Sequence, residues 1–336
     1  MAAPANIIEK IEKAGIIGRG GAEYPAHLKW RAVRNASVTP KYVICNVSER
    51  EPGVFKDYHI LAHNLPTVMT GLTLAMETVG ATEGVINLNA IYEKKFKKEL
   101  DTAIADASKR GFKIRIFEEA PSYIGGEETA LLNAMEGKRC EPRLKPPFPT
   151  QSGLYGKPTL IHNVETLFDI ALVAQGKYEG KRYFSISGAV DSIGVYHLPA
   201  SLTVQKVLQQ TKNEPKEEYF VQVGGGASGT VINQEQASTT MIGGTAALTV
   251  HLLAEDPRTL VLDWLKFYRA ESCGKCTPCR EGTYQLLKMM EESRSIPWKK
   301  MESLFDVLEQ TSFCALGRSV PVPLKSYAAN VLPLRT

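Results

Sequence analysis

Cys273, Cys276 and Cys279 stand at two-residue intervals in "ESCGKCTPCREG", and Cys314 in "TSFCALG" follows far downstream. A compact loop of three thiolates with one remote partner is an iron–sulfur spacing, in which the loop wraps three corners of a cube and the distant residue closes it. Zinc is the competing metal, but its usual frameworks present two pairs of ligands, not three clustered residues and one alone. Four thiols held only for packing leave the tight spacing unexplained. The expectation is a [4Fe-4S] cluster on Cys273, Cys276, Cys279 and Cys314, so any fold must return Cys314 to the triplet.

The surrounding pattern permits that return. From about Asp256 the chain reads as wholly helical, through "PRTLVLDWLKFYRAES", "REGTYQLLKMMEES", "PWKKMESLFDVLEQTS" and "SVPVPLKSYAANVL". These helices make a small bundle with Cys314 in the loop between the third and fourth. Thr277 and Pro278 suit the N-cap and N1 positions of a helix starting at Cys279, whose positive end would face the cluster's negative charge.

Six cysteines without a signal peptide argue for a reducing compartment and against a disulfide framework. Cys45 and Cys140 have no neighbouring cysteine and read as small buried or half-buried residues. A cytoplasmic location follows, because "VMTGLTLAM" is too short to span a bilayer and "MAAPANIIEKIEK" turns charged before an apolar stretch develops. The net charge of +4 is spread among acidic residues, and "YEKKFKKEL" reads as a solvated helix face, so nucleic acid is not an expected partner.

At 336 residues the chain has room for two or three domains. In the first half, strands at 41–47, 83–89 and 112–118 alternate with helices in "NIIEKIEKAG", "LPTVMTGLTLAMETVG" and "YEKKFKKELDTAIADASKRG", the last closed by Gly111. Further helices cover "GEETALLNAMEG" and "NVETLFDIALVAQG". This α/β alternation predicts a parallel sheet covered on both faces. Near residue 180 the chain turns to short glycine-punctuated strands with one helix at "TVQKVLQQT", the pattern of a β-grasp-like domain.

Three loops are candidates for ligand binding. "GIIGRGGAEYPAHLKW" offers Gly18, Gly20 and Gly21 around Arg19, with Lys29 downstream, a composition that lets backbone N–H groups approach phosphate; a plain turn has the same composition. In "PSYIGGEETALLNAMEGKR", Glu127 and Glu128 head a helix, where acids also serve simply to offset the dipole. In "CNVSEREPGVFKD" a strand runs into polar residues, which is where open α/β sheets bind ligands.

With these motifs in this order, the chain resembles the NADH-oxidising flavoprotein subunit of respiratory complex I and its relatives in NAD-linked hydrogenases and formate dehydrogenases. The stretches that carry the resemblance are "GRGGAEYPAHLKW", "CNVSEREPGVFKD", "YIGGEETALLNAMEGKRCEPRLKPPFP", "GLYGKPTLIHNVETL", "FSISGAV", "ESCGKCTPCREG" and "TSFCALG". It implies a Rossmann-like FMN and NAD(H) domain over 1–178, a β-grasp-like (ubiquitin-like) domain over 179–253 and a four-helix [4Fe-4S] bundle over 254–336. It further implies that Gly18, Arg19, Gly20, Lys29, Asn46 and Ser48 lie near the flavin and its phosphate, with His162, Asn163 and Thr166 close by. Glu51, Tyr123, Gly126, Glu127 and Glu128 would shape the nicotinamide face, with Glu51 and Glu127 the carboxylates at the reacting centre, and Lys145 and Phe148 would approach the dinucleotide. The implied chemistry is hydride transfer between NAD(H) and FMN, then single electrons through the cluster. The expected partners are a small [2Fe-2S] thioredoxin-like subunit and a larger iron–sulfur catalytic subunit, since the ferredoxin-like extensions of longer members are absent from these residues.

Departures from the family pattern cluster on the nucleotide side. Glu23 to His27 replace Gly-Phe-Pro-Thr-Gly, Ala32 stands for an aromatic, Ser48 and Arg50 for Asp and Ser, "INLNAIYEKK" for a stretch with Arg-Gly-Glu-Tyr, and His162 for Asn. NAD(H) is the expected substrate. Two other readings stay open: a version using NADP(H), with Arg50 pairing a 2′-phosphate, and a non-catalytic flavin and cluster relay with a weakened nucleotide site.

Overall fold

A computed structural model describes residues 4–119 and 121–335. The chain divides into two compact units, Met1–Arg50 with Phe55–Tyr183, and Glu51–Val54 with Phe184–Thr336.

In order along the first unit lie α1 (Pro4–Lys13), α2 (Ala26–Asn35), β1 (Tyr42–Val47), α3 (Lys56–Val79), β2 (Glu83–Leu88), α4 (Ala90–Lys109), β3 (Ile114–Glu118), α5 (Glu128–Met135), α6 (Pro149–Ser152), β4 (Thr159–Asn163) and α7 (Val164–Gln175). The four strands form one parallel sheet in the order β3-β2-β1-β4. Strands and helices fall where the apolar patterning places them, with three additions, of which the four-residue α6 is the shortest. β4, in "TLIHN", lies outside the predicted strands; it is short and takes its place only by pairing with β1. α2 begins at Ala26, so Lys29 rides on a helix and not on the glycine loop itself.

Local chemistry sets the helix boundaries. Asn89 accepts from the Tyr92 N–H at the start of α4, and Asn163 accepts from the Glu165 N–H at the start of α7. Pro66 lies inside α3, and Asn64, two residues before it, leaves helical geometry, which kinks the helix there. Ile44, Val85, Leu131, Leu132, Met135, Leu154 and Ile161 bury one face of the sheet against α5.

The second unit contains β5 (Lys181–Gly188, from Phe184 onward), β6 (Gly194–Pro199), α8 (Val204–Gln210), β7 (Tyr219–Val223), β8 (Thr230–Asn233), α9 (Gln234–Ala237) and β9 (Ala247–Leu252). The sheet is mixed, in the order β6-β5-β9-β7-β8, with β5 parallel to β9 and β7 antiparallel to both β8 and β9. First and last strands side by side with one helix packed on the sheet is the β-grasp arrangement, and Phe184, Ile186, Val207, Leu208, Val221 and Val250 fill its core.

The chain then becomes helical: α10 (Pro257–Glu271), α11 (Thr277–Glu292), α12 (Trp298–Thr311), α13 (Ala315–Ser319) and α14 (Pro321–Asn330). The expected four helices gain a fifth, the short α13, which follows Cys314 directly and stops before Pro321 and Pro323. The start of α11 also differs by one residue: Cys276 is its N-cap, and Thr277 and Pro278 occupy its first turn. Among the described residues no helix is long and apolar enough to cross a membrane.

Candidate functional site

Parallel pairing brings the carboxyl ends of all four strands of the first sheet to one edge, the usual ligand-binding edge of open α/β sheets. Three asparagines meet there in register, Asn163 on β4 beside Asn46 on β1, and Asn46 beside Asn87 on β2. Asn87 Nδ2 donates to Asn46 Oδ1 at 2.9 Å, and Asn46 Nδ2 donates to the Gly126 carbonyl at 3.0 Å in the 3-10 turn Tyr123–Gly126. Asn163 Nδ2 donates to Asp57 Oδ2 at 2.6 Å. Asn46 and Asn163 are expected here; Asn87 is not, because only the strand register brings it beside Asn46.

A buried ionic knot supports this edge. Lys56 Nζ donates to Asn163 Oδ1 at 3.1 Å, pairs with Glu165 Oε2 at 3.1 Å and contacts Asp57. Burial alone would depress the ammonium, but Asp57 and Glu165 hold it above its ordinary range. Glu49 accepts from the Asp57 and Tyr58 N–H groups and from the Tyr92 hydroxyl; burial and Asp57 push its carboxyl up to about 8. Sequence reasoning finds the surrounding motif but misses Lys56, Asp57 and Glu49 as a unit.

The glycine loop is tied down at both ends. The Gly18 N–H donates to the Tyr24 carbonyl at 2.9 Å, and the Arg19 N–H donates to Thr166 Oγ1 at 2.9 Å. Arg19's guanidinium turns inward, donating to Asp169 at 3.1 Å and to the Tyr178 hydroxyl, so its charge is met within the protein. Lys29 donates to Glu128 Oε2 at 2.9 Å, and Lys145 donates to Glu127 Oε1 at 2.9 Å and Glu128 Oε1 at 3.3 Å. Burial pushes the Glu128 carboxyl up, yet the two lysines hold it below the usual range. Glu127 also caps α5, accepting from the Thr129 and Ala130 N–H groups. Phe148 stands half exposed.

Three residues expected at the cofactor are engaged elsewhere. His162 is buried and its Nε2 accepts from the Trp30 indole at 2.9 Å; burial, with Lys29 nearby, drives its pKa down to about 3, so it is a neutral core acceptor. Thr166 is fully buried beneath the Arg19 amide. Glu51, in the second unit, accepts at Oε1 from the Ser228 N–H at 2.7 Å and the Ser228 hydroxyl at 2.6 Å, so it fastens the glycine-rich turn after β7. Arg50 donates through Nε to Glu119 at 2.7 Å.

These surroundings suit FMN. A methyl group on Gly20 would sit 3.4 Å from Asn163 Cβ, and one on Gly126 would sit 3.0 Å from Ser48 Oγ, so both glycines let the backbone pack closely on these polar side chains. Carboxamides and a hydroxyl match the polar edge of a flavin ring, and Lys29 supplies a cation beside the loop.

In the helical region the cysteines converge. Burial pushes the Cys279 thiol up to about 11, and Cys276, Cys314 and Cys273 add to the rise, although a hydrogen bond from Ser272 opposes it. A buried thiol such as that of Cys279 becomes a thiolate most readily beside a cationic centre. Among the described residues no group of three or more Cys, His, Asp or Glu side chains is placed to hold a metal ion. α13 approaches closely: a methyl on Gly317 would lie 3.0 Å from Cys279 Cβ and 2.5 Å from the hydroxyl of Ser312, a buried group with no hydrogen-bond partner among the described residues. Four cysteine thiols, three in one turn and one remote, are by their chemistry the donor set that an iron–sulfur cube takes. Cys45 is fully buried and Cys140 half buried, both outside this set.

Comparison with known proteins agrees with both regions. Residues 11–172 match the family described as the Nuo51 FMN-binding domain, and residues 259–331 match the NADH-ubiquinone oxidoreductase-F iron-sulfur binding region. The chain is 33% identical to the F subunit of the NADH-quinone oxidoreductase of Aquifex aeolicus, over 94% of this chain and 81% of that protein. It is 30% identical to HndC of the NADP-reducing hydrogenase of Solidesulfovibrio fructosivorans, over 96% of this chain and 74% of the other. A crystal structure of an NAD+-reducing [NiFe]-hydrogenase in the H2-reduced state superposes with a TM-score of 0.90 at 30% identity, over 98% of this chain; the chain spans 62% of the length of that hydrogenase chain. The chain belongs to the family of NADH-quinone oxidoreductase F subunits, the FMN- and [4Fe-4S]-binding, NADH-binding subunits of complex I and of NAD-reducing hydrogenases.

Proposed function

We propose that this chain is the electron-input subunit of a cytoplasmic multisubunit redox complex, oxidising NADH and passing single electrons to another chain. The single observation that carries the reading is the co-occurrence of an asparagine-lined sheet edge beside a glycine loop and a three-cysteine turn with a remote fourth cysteine in one chain. Bound FMN and the [4Fe-4S] cluster supply the conversion between a two-electron hydride and one-electron steps.

The residues of the chain bind and orient. The 18–21 loop backbone and Lys29 take the flavin phosphate, while Asn46, Ser48 and Asn163 fix the polar edge of the ring. Tyr123, Gly126, Glu127, Glu128 and Lys145 shape the face on which nicotinamide docks, and Phe148 offers an aromatic surface to the dinucleotide. Arg19, Thr166 and His162 act from behind, by holding the loop and β4 in place. Hydride transfer asks none of them to give or take a proton, so their contribution is positioning. Cys273, Cys276, Cys279 and Cys314 hold the cluster. A small [2Fe-2S] thioredoxin-like subunit and a larger iron–sulfur catalytic subunit are the partners that receive the electrons.

The Arg50–Glu119 pair favours NADH over NADPH. Glu119 already neutralises the guanidinium and would repel a 2′-phosphate brought to it. The test is NADH-dependent reduction of ferricyanide by the full chain carrying its full complement of FMN and iron. Turnover with NADH, and much less with NADPH, is expected. No turnover with either would overturn the enzyme reading in favour of a relay.

A further inference from the structure

Ser272 closes α10, and its main chain does the capping: the Ser272 N–H donates to the Tyr268 carbonyl at 3.0 Å. The hydroxyl is left for other work. Its Oγ lies 3.3 Å from Cys279 Sγ, and the Gly274 N–H donates to that same Oγ at 3.4 Å. Gly274 is in turn pinned by Arg280, whose Nη1 donates to the Gly274 carbonyl at 2.9 Å.

The direction of the Ser272–Cys279 bond follows from chemistry. A cysteine ligating iron is a thiolate with no proton to give, and the Gly274 amide already occupies an acceptor position on the serine oxygen. The hydroxyl proton therefore points to sulfur. Cys276 has a backbone donor, the Phe313 N–H at 3.5 Å, whereas Cys279 is addressed by a side-chain hydroxyl.

We propose that Ser272 is a positioning and tuning residue for the cluster: its hydroxyl donates to the Cys279 sulfur and raises the cluster's reduction potential. One-electron reduction adds negative charge to the cube and its thiolates. A fixed donor stabilises the more negative state more strongly, so hydrogen bonds to the sulfurs raise the potential. The electron goes to the cluster and the proton stays on Ser272; no bond forms or breaks. This rests on the [4Fe-4S] reading of the four cysteines and adds a residue outside the ligand set.

The experiment is potentiometry of the full-length, FMN- and iron-loaded protein with dithionite as reductant, following the reduced-cluster signal by electron paramagnetic resonance, for wild type, Ser272→Ala and Ser272→Thr. Ser272→Ala is expected to disfavour cluster reduction about tenfold, a shift of about 59 mV to more negative potential for one electron, with the Thr variant returning toward wild type. An unshifted Ser272→Ala protein with full iron, or a Thr variant that matches Ala, would overturn the proposal. Should Ser272→Ala fail to hold iron, resonance Raman of the wild type decides: Fe–S(Cys) frequencies that move in D2O support the hydroxyl donor, and deuterium-insensitive ones that persist unchanged in Ser272→Thr refute it. Wild-type protein without iron would instead sink the cluster reading itself, a separate failure.

Discussion

The carboxyl edge of the parallel sheet and the cysteine turn handle charge in opposite ways. At the sheet edge nearly every cation has a carboxylate built in: Arg19 with Asp169, Lys29 with Glu128, Lys145 with Glu127, and Lys56 with Asp57 and Glu165. At the cysteine turn, burial and the neighbouring cysteines push the Cys279 thiol up, and the buried Ser312 hydroxyl lacks a partner among the described residues. The first region is an ionic framework complete in polypeptide. The second, in the proposed reading, has its positive charge supplied by iron.

The comparison yields predictions of decreasing size. Cys314→Ser removes the remote corner of the cube, so most iron and the cluster absorbance should be lost while FMN occupancy stays; unchanged iron would mean the ligand set is wrong. Lys56→Ala leaves Asp57 and Glu165 buried without their cation, and should cost about 3–5 kcal/mol by denaturant unfolding. Lys56→Met should not restore that loss, since it returns the packing but not the charge; full restoration would mean the knot matters only for packing.

A smaller effect depends on pH. His162 has a folded pKa of about 3, below the ordinary value of 6.5. The unfolded chain therefore binds more protons between these values, and the stability contributed by neutral His162 is complete above about pH 6.5 and lost as pH falls toward 3. His162→Asn should flatten the fall of melting temperature across that window; an unchanged slope would show that other groups set it. Smallest is Arg50→Ser. With Glu119 already holding Arg50, the NADPH-to-NADH ratio of dye reduction should change less than about threefold; a large fall would show that Arg50 reaches the nucleotide after all.

The same contrast explains what was legible in the sequence. A cubane dictates both residue type and spacing, so spacing alone marks Cys273, Cys276, Cys279 and Cys314, and apolar periodicity marks β1, β2, β3, β5, β6 and β7 with most of the longer helices, whereas β8, β9 and the four-residue α6 and α9 carry no such mark. Arg19 and Asp169 are far apart in sequence, as are Lys56 and Glu165, and no local pattern marks such partners. Arg19, His162 and Glu51 were therefore expected to face a ligand, whereas their side chains bind Asp169, Trp30 and Ser228. Asn87 carries no mark of its role, which comes from register with Asn46. β4 escaped for a similar reason, as did α13, a helix of five residues bounded by proline.

The most direct test of the account is anaerobic stopped-flow mixing of NADH with the FMN-loaded wild type and with Cys314→Ser, following flavin absorbance after FMN and iron have been quantified. The account predicts rapid flavin bleaching in both proteins, with cluster absorbance changing only in the wild type. Flavin that stays oxidised in fully FMN-loaded wild type would contradict it.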